Sequence, residues 1–228
     1  MKRQLPTPNR KETVFGIAFI FIQLLVIPSI ILTINDFLDK SMSLALQNFL
    51  CFSVNFLCVI AIFRCFWLES FKNLSGNSFH LIRHVIVNFS LYYLCSILVN
   101  IIIFSLEPDF FNANDAAIST MAKEQYALIA IGTVVLVPPV EEILYRGVLF
   151  GKIAQYHPIL GYLISMVAFS AIHVLPYIGE LTPMQLLLSF TQYLPPAFFL
   201  ARAYEKSGSI FAPILIHAIV NFIGVVST

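Results

Sequence analysis

Charge is what this 228-residue chain has least of: Asp, Glu, Lys and Arg make up 11% of it, where soluble domains carry about 25%. A water-solvated globular domain is excluded on that ground. The formal net charge is only +1, so once membrane spans are set aside no basic face remains to hold a nucleic acid by bulk electrostatics. Cysteine is also scarce. Cys51, Cys58, Cys65 and Cys95 all sit inside apolar runs, without the spacing of a metal site or a disulfide framework. The first three recur every seven residues and read as a small-residue packing stripe on one helical face. Pro/Gly-rich linkers, internal repeats and low-complexity tracts are missing too, so any activity is expected inside a helical bundle or at its mouth.

Apolar residues are abundant. They reach 59%, including 22 Phe, and the mean hydropathy is +0.87. Stretches free of Asp, Glu, Lys and Arg, apart from Glu180 near the end of the fifth, cover residues 14–35, 44–63, 85–106, 125–140, 153–181, 184–201 and 207 to the end. A helix of about 20 residues crosses about 30 Å of hydrocarbon. The expectation is an all-α, polytopic transmembrane bundle of about seven spans, within a range of six to eight. The first run is too long for a signal-peptide core and lacks a small-residue cleavage site, so it is expected to stay as a span. Eleven of the thirteen Lys and Arg, Lys2 and Arg3 among them, fall on one side of this topology, leaving Lys40 and Lys123 on the other. By the positive-inside rule the N-terminus is cytoplasmic. Residues 1–124 form an N-terminal unit of about three spans, and 125–228 a core that holds the remaining ionisable groups.

Ionisable side chains within spans are costly and mark function by default. The first cluster is Val137-Pro138-Pro139-Val140-Glu141-Glu142-Ile143-Leu144-Tyr145-Arg146. The prolines are expected to break or kink the helix and restart it, with both glutamates in the first new turn. Glu142 and Arg146, four apart, face each other as an ion pair, while Glu141 points about 100° away and stays available. A carboxylate in an apolar site is suited to accept a proton. Two further pairs lie one turn apart on later runs, Phe169 with His173 and His217 with Asn221. Depth permits their convergence. Glu141 lies 16 residues before His157, at the expected turn, and His173 lies 16 after it, so the two meet at one level of an antiparallel hairpin. Asn221 is about 18 Å into the last span if that span starts near Ser209.

The ordered set Glu-Glu-x-x-x-Arg (Glu141, Glu142, Arg146), Phe-x-x-x-His (Phe169, His173) and His-x-x-x-Asn (His217, Asn221), each on its own hydrophobic run, resembles the CPBP family. These are the type II CAAX prenyl endopeptidases and their bacterial relatives linked to bacteriocin processing and self-immunity, also called Abi proteins. The resemblance covers residues from about Gln125 onward. It implies an intramembrane endopeptidase acting on membrane-associated, lipidated or peptide substrates, in which Glu141, helped by His173, activates water, and His217 with Asn221 stabilises the oxyanion. Glu142 and Arg146 would fix the motif helix, and Phe169 would pack beside His173 or serve as plain core. No cofactor is expected; the alternative is a zinc ion on Glu141, His173 and His217, although the His-Glu-x-x-His signature of common zinc proteases is absent. The expected partners are membrane lipid and a peptide or membrane-protein substrate, and the expected home is a bacterial plasma membrane. A non-enzymatic immunity or scaffold protein with the same fold is the alternative. A proton-coupled carrier is disfavoured because the chain has no inverted repeat.

Overall fold

The computed structural model describes residues 5–74 and 78–227, the side chain of Asn73 excepted; Lys2 and Arg3 lie outside them. Among the described residues there is no β-strand, and one isolated bridge joins Ile178 to Leu181. The helices are α1 (Arg10–Phe37), α2 (Leu44–Ile62), α3 (Arg64–Leu74), α4 (Ser78–Leu106), α5 (Ala113–Ala154), α6 (Pro158–Ile172), α7 (Pro183–Gln192), α8 (Leu194–Ser207) and α9 (Phe211–Val226). Four of them, α1, α2, α4 and α5, are long and apolar enough to cross a membrane, and α6 and α9 are shorter apolar helices.

Two of the seven apolar runs form shorter helices than their length suggests, for local reasons. Pro195 and Pro196 cannot donate backbone hydrogen bonds, so the apolar run 184–201 is divided at Tyr193, which ends α7 and begins α8. The run 153–181 loses its start to the turn at 155–157 and its end to a 3-10 turn at Leu175–Tyr177. What remains of it, α6, has 15 residues.

The largest correction concerns the Pro138-Pro139 step. No break occurs there; α5 runs on from Ala113 to Ala154, and its irregular backbone lies earlier, at Gln125 (φ −141°, ψ 69°). A proline in a helix interior lacks an N–H and collides with the carbonyl four residues back. Here the helix widens into a π-helical segment, Gly132–Leu136, and the Val137 N–H reaches the Gly132 carbonyl, one residue further back than in an α-helix. The same device precedes Pro28 in α1, where the Ile27 N–H reaches Ile22 across the π segment Ile22–Val26. A third widened stretch, Glu142–Phe150, carries the second glutamate and the arginine. Glu141 and Glu142 therefore do not stand at a helix N-terminus, and the Glu142 N–H is already bonded to the carbonyls of Pro138 and Pro139.

Burial identifies α5 as the central helix: half of its most apolar window is buried, against 6% for α4. Its stretch Ile143-Leu144-Tyr145-Arg146 is fully enclosed. Outside that core, large apolar side chains such as Phe37, Ile82 and Leu98 point outward, as in a surface solvated by lipid. Glu12 fixes the other end of the bundle. It closes a capping box with Asn9 at the start of α1, and its Oε1 accepts the Phe66 N–H at 2.9 Å.

One smaller expectation changes. The cysteine stripe ends at Phe63, where α2 stops, and Cys65 on α3 is exposed. His80 and His84 lie in the first turns of α4 with ring centroids 4.5 Å apart, and Trp67 is buried against Phe71 and Phe211.

Candidate active site

Three helices bring the polar residues together. Helix α5 supplies Glu141, Glu142 and Arg146, α6 ends on Phe169 and its C-cap His173, and α9 carries His217 and Asn221. The α5–α6 hairpin closes tightly because residue 161 is glycine. A Cβ there would lie 2.9 Å from the backbone nitrogen of Ala154, a distance that backbone cannot relieve. This close approach lets the two equal arms from His157 return side by side, with Glu141 Oε2 4.0 Å from His173 Nε2.

The buried half of the site is a charge cluster. Arg146 Nη1 donates to Glu142 Oε1 at 3.0 Å and Nη2 to the Ala197 carbonyl at 3.3 Å, and its guanidinium lies 4.0 Å above the Phe169 ring. Glu142 and Arg146 have no solvent exposure. The pair expected from the i, i+4 spacing is thus present. The same Glu142 oxygen also meets His217 Nδ1 at 2.8 Å. Phe169 is more than generic core: its ring touches Tyr145, His173 and His217 as well as Arg146.

The open half contains Glu141, whose side chain is 16% exposed. Its Oε2 lies 3.9 Å from His217 Nε2 and 4.0 Å from His173 Nε2, and it has no direct hydrogen-bond partner. Each histidine is oriented through its other nitrogen. His173 Nδ1 is 2.8 Å from the Phe169 carbonyl, an acceptor only, so Nδ1 carries the proton and Nε2 of the neutral ring offers its lone pair to the Glu141 side. His217 is held in the same way by the ion-paired Glu142 carboxylate.

A cavity of about 780 Å³ opens in front of this pair, within the usual range for a ligand site. Glu141, His173 and Asn221 line it, along with polar groups from other helices, Asn48, Asn55 and Asp115 among them. His217 is not on its wall. Asn221 donates its amide to the Thr133 carbonyl at 2.7 Å. That carbonyl belongs to the widened segment before the prolines, so the π turn provides the acceptor that fixes Asn221 at the cavity.

Sequence reasoning did not single out Tyr193. Its ring stacks on His173 at 4.2 Å with planes 24° apart. Its hydroxyl donates toward Asp115 Oδ1 at 3.2 Å and receives the Asn114 amide at 3.1 Å. The signal available was Pro195-Pro196, which turns the chain at that point, but nothing in the spacing indicates which ring faces His173.

The zinc alternative is tested by distance. Ligands about 2.0–2.1 Å from a tetrahedral zinc lie about 3.4 Å from one another, and the Glu141 oxygen stands 3.9 and 4.0 Å from the two imidazole nitrogens. Among the described residues no three His, Cys, Asp or Glu are grouped closely enough to hold a metal ion. In this arrangement the carboxylate stands further from each imidazole than one ligand of a tetrahedral zinc stands from another.

The carboxylate is thus flanked by two oriented imidazoles on helices of an apolar bundle. Residues 123–223 match the family model of type II CAAX prenyl endopeptidases, Rce1-like. That match spans Glu141, Glu142, Arg146, Phe169, His173, His217 and Asn221, so this part of the chain is similar to that family, and together with the apolar helices it marks an integral membrane protein. No curated protein and no solved structure matches the chain.

Proposed function

We propose that this protein is an intramembrane endopeptidase that hydrolyses a peptide bond with a water molecule activated by Glu141, without a metal. The observation that carries this reading is the unpartnered Glu141 carboxylate oxygen between two imidazole Nε2 atoms at 3.9 and 4.0 Å, on the wall of the cavity. Such gaps are too long for direct hydrogen bonds and suit a bridging water.

Glu141 takes a proton from that water, and His173 Nε2 orients it as an acceptor. The hydroxide adds to the scissile carbonyl. Charge then develops on the carbonyl oxygen, where the Asn221 amide, fixed by Thr133, offers its second N–H. His217, whose Nδ1 is directed to the Glu142 carboxylate, serves the same oxygen when its Nε2 also carries a proton. The proton held by Glu141 passes to the leaving amine as the C–N bond breaks. Fully buried Glu142 and Arg146 hold the helix and the His217 ring.

The excess of Lys and Arg on one side supports a cytoplasmic N-terminus, and the small size and short loops support a bacterial plasma membrane. The test is cleavage of lipidated and membrane-anchored peptides by purified protein. Glu141→Gln is expected to lower turnover by about 10²–10⁴-fold, with comparable losses for His173→Ala and His217→Ala. Wild-type turnover in all three variants would overturn the reading. A cellular phenotype that survives all three substitutions, with no proteolysis seen, supports the scaffold alternative.

A further inference from the structure

The cavity in front of Glu141 has a second carboxylate on its wall. Asp115 lies near the start of α5, on the arm that precedes the irregular residue Gln125, and this arm contributes Asn114, Asp115, Ile118 and Ser119 to the lining. Its place is fixed from two sides. The Asn112 side chain caps the helix by accepting the Asp115 N–H at 3.1 Å, and it donates to Gln192 Oε1 at 2.6 Å. Asp115 Oδ1 accepts the Tyr193 hydroxyl at 3.2 Å, and the ring of that tyrosine stacks on His173. One tyrosine side chain therefore separates the Asp115 carboxylate from the imidazole of the site, a span of at most about three residues of extended peptide.

The wall has oxygens to spare and no cation to meet them. Among the described residues, no Lys or Arg lines the cavity or forms an ion pair with Asp115 or Glu141. Lys123, on the same arm as Asp115, is exposed and lies off the wall, and Arg146 is taken up by Glu142 and the Ala197 carbonyl. Glu141 Oε2 and, on α2, Asn55 Oδ1 are enclosed without a hydrogen-bond partner. Both are acceptors. Asp115 is an exposed residue, so it meets an incoming ligand before Glu141 does. Carboxylates within an apolar bundle are costly without a counter-charge. A ligand with a cationic nitrogen supplies both that charge and the N–H donors these oxygens lack, whereas a carboxylate in the same place would meet two like charges.

We propose that Asp115 selects substrates that carry a cationic nitrogen, a Lys or Arg side chain or a free α-amine, within about three residues of the scissile bond. The proposal rests on the peptidase reading of the site, and the preference for a cation is also readable from binding alone.

The test uses the full chain in neutral detergent and membrane-anchored peptides with Lys, norleucine or Glu placed in turn along the sequence, each with a free or an acetylated N-terminus. Binding is followed by fluorescence anisotropy on Glu141→Gln protein, which leaves Asp115 as the carboxylate of the cavity, and kcat and KM are measured on the wild type. The lysine peptide is expected to bind about fivefold or more tightly than the norleucine peptide, with the glutamate peptide weakest. Adding Asp115→Asn, which keeps the Asn112 cap and an acceptor for Tyr193, is expected to bring lysine and norleucine to within about twofold of each other. Asp115→Lys is expected to place the glutamate peptide first. If a side chain supplies the cation, acetylation leaves the lysine preference in place; if the α-amine supplies it, acetylation weakens all three peptides and abolishes the advantage of the free terminus. Equal binding of all peptides, or a lysine or free-amine preference that survives both Asp115 substitutions, would overturn the proposal. A preference that depends on Asp115, with no cleavage by the wild type, would support the cation site and count against the peptidase reading.

Discussion

Nδ1 of His217 lies 2.8 Å from Oε1 of Glu142, the oxygen that also receives Arg146. The carboxylate identified from sequence as the partner of the arginine is therefore also the group that orients the second histidine. Removing it leaves a fully buried guanidinium without its anion. Glu142→Ala is expected to destabilise the protein by about 3–5 kcal/mol, read as a lowered Tm in detergent. Glu142→Gln combined with Arg146→Met removes both charges and is expected to cost less than Glu142→Ala alone. If the double variant is the less stable one, the buried pair is not what holds this part of α5.

Tyr193 contacts no part of the water position directly, yet it covers one face of the His173 ring. Tyr193→Leu is expected to lower kcat about ten- to a hundredfold with KM little changed, since a small misplacement of a catalytic group is enough for such losses. Tyr193→Phe keeps the stacking and loses the Asp115 and Asn114 bonds, so most of the activity is expected to return. In an NMR spectrum of ¹³C-labelled histidines, the His173 signal is expected to move in the leucine variant and to stay near its wild-type position in the phenylalanine variant. A leucine variant with unchanged kcat and an unmoved His173 signal would rule out a positioning role.

Gly161 is a second structural point to test. A methyl group there meets the backbone of Ala154 at 2.9 Å, so the α5–α6 hairpin must open. Gly161→Ala is expected to cost about 1–3 kcal/mol and to lower activity as His173 withdraws from Glu141. By contrast, Gly224→Ala on α9, where no neighbouring atom lies within 4 Å of the added Cβ, is expected to leave stability near wild type.

Chelation separates the two mechanistic alternatives. With Glu141 acting through water alone, protein stripped by a strong zinc chelator is expected to keep its peptidase activity. Loss of activity on stripping, restored by stoichiometric zinc and not by magnesium, would contradict the metal-free mechanism.

Much of this site was legible because its members obey short helical spacings. Glu142 with Arg146 follows the i, i+4 rule, and the equal arms from His157 align Glu141 with His173. The class of the fold was equally plain, since so little charge leaves no alternative to a lipid-solvated bundle. Other features depended on tertiary context. Two prolines in sequence carry the same local signal whether a helix breaks or widens; α5 widens ahead of Pro138, as α1 does ahead of the single Pro28. At Pro195-Pro196 the same signal produced a true corner. Which aromatic ring covers His173, and that Thr133 would hold Asn221, are pairings across 20 residues or more with no periodicity to reveal them. The number of membrane-crossing helices was read from apolar run length, and run length does not record where turns and prolines divide a run.

The widened turns in α5 have a consequence for how this segment can vary. A π turn holds one residue more than an α turn, so the stretch Gly132–Leu136 stores slack within an unbroken helix. Deleting a single residue there would let ordinary winding resume with the phase of Glu141 kept, at the loss of the widened turn whose Thr133 carbonyl holds Asn221. A deletion in ordinary α-helix has no such slack to draw on: each residue advances the face by about 100°, so one lost between the widened segment and Glu141 would swing the carboxylate away from the two imidazoles with its sequence motif still intact. Changes in length are therefore expected to be tolerated only within the widened turn.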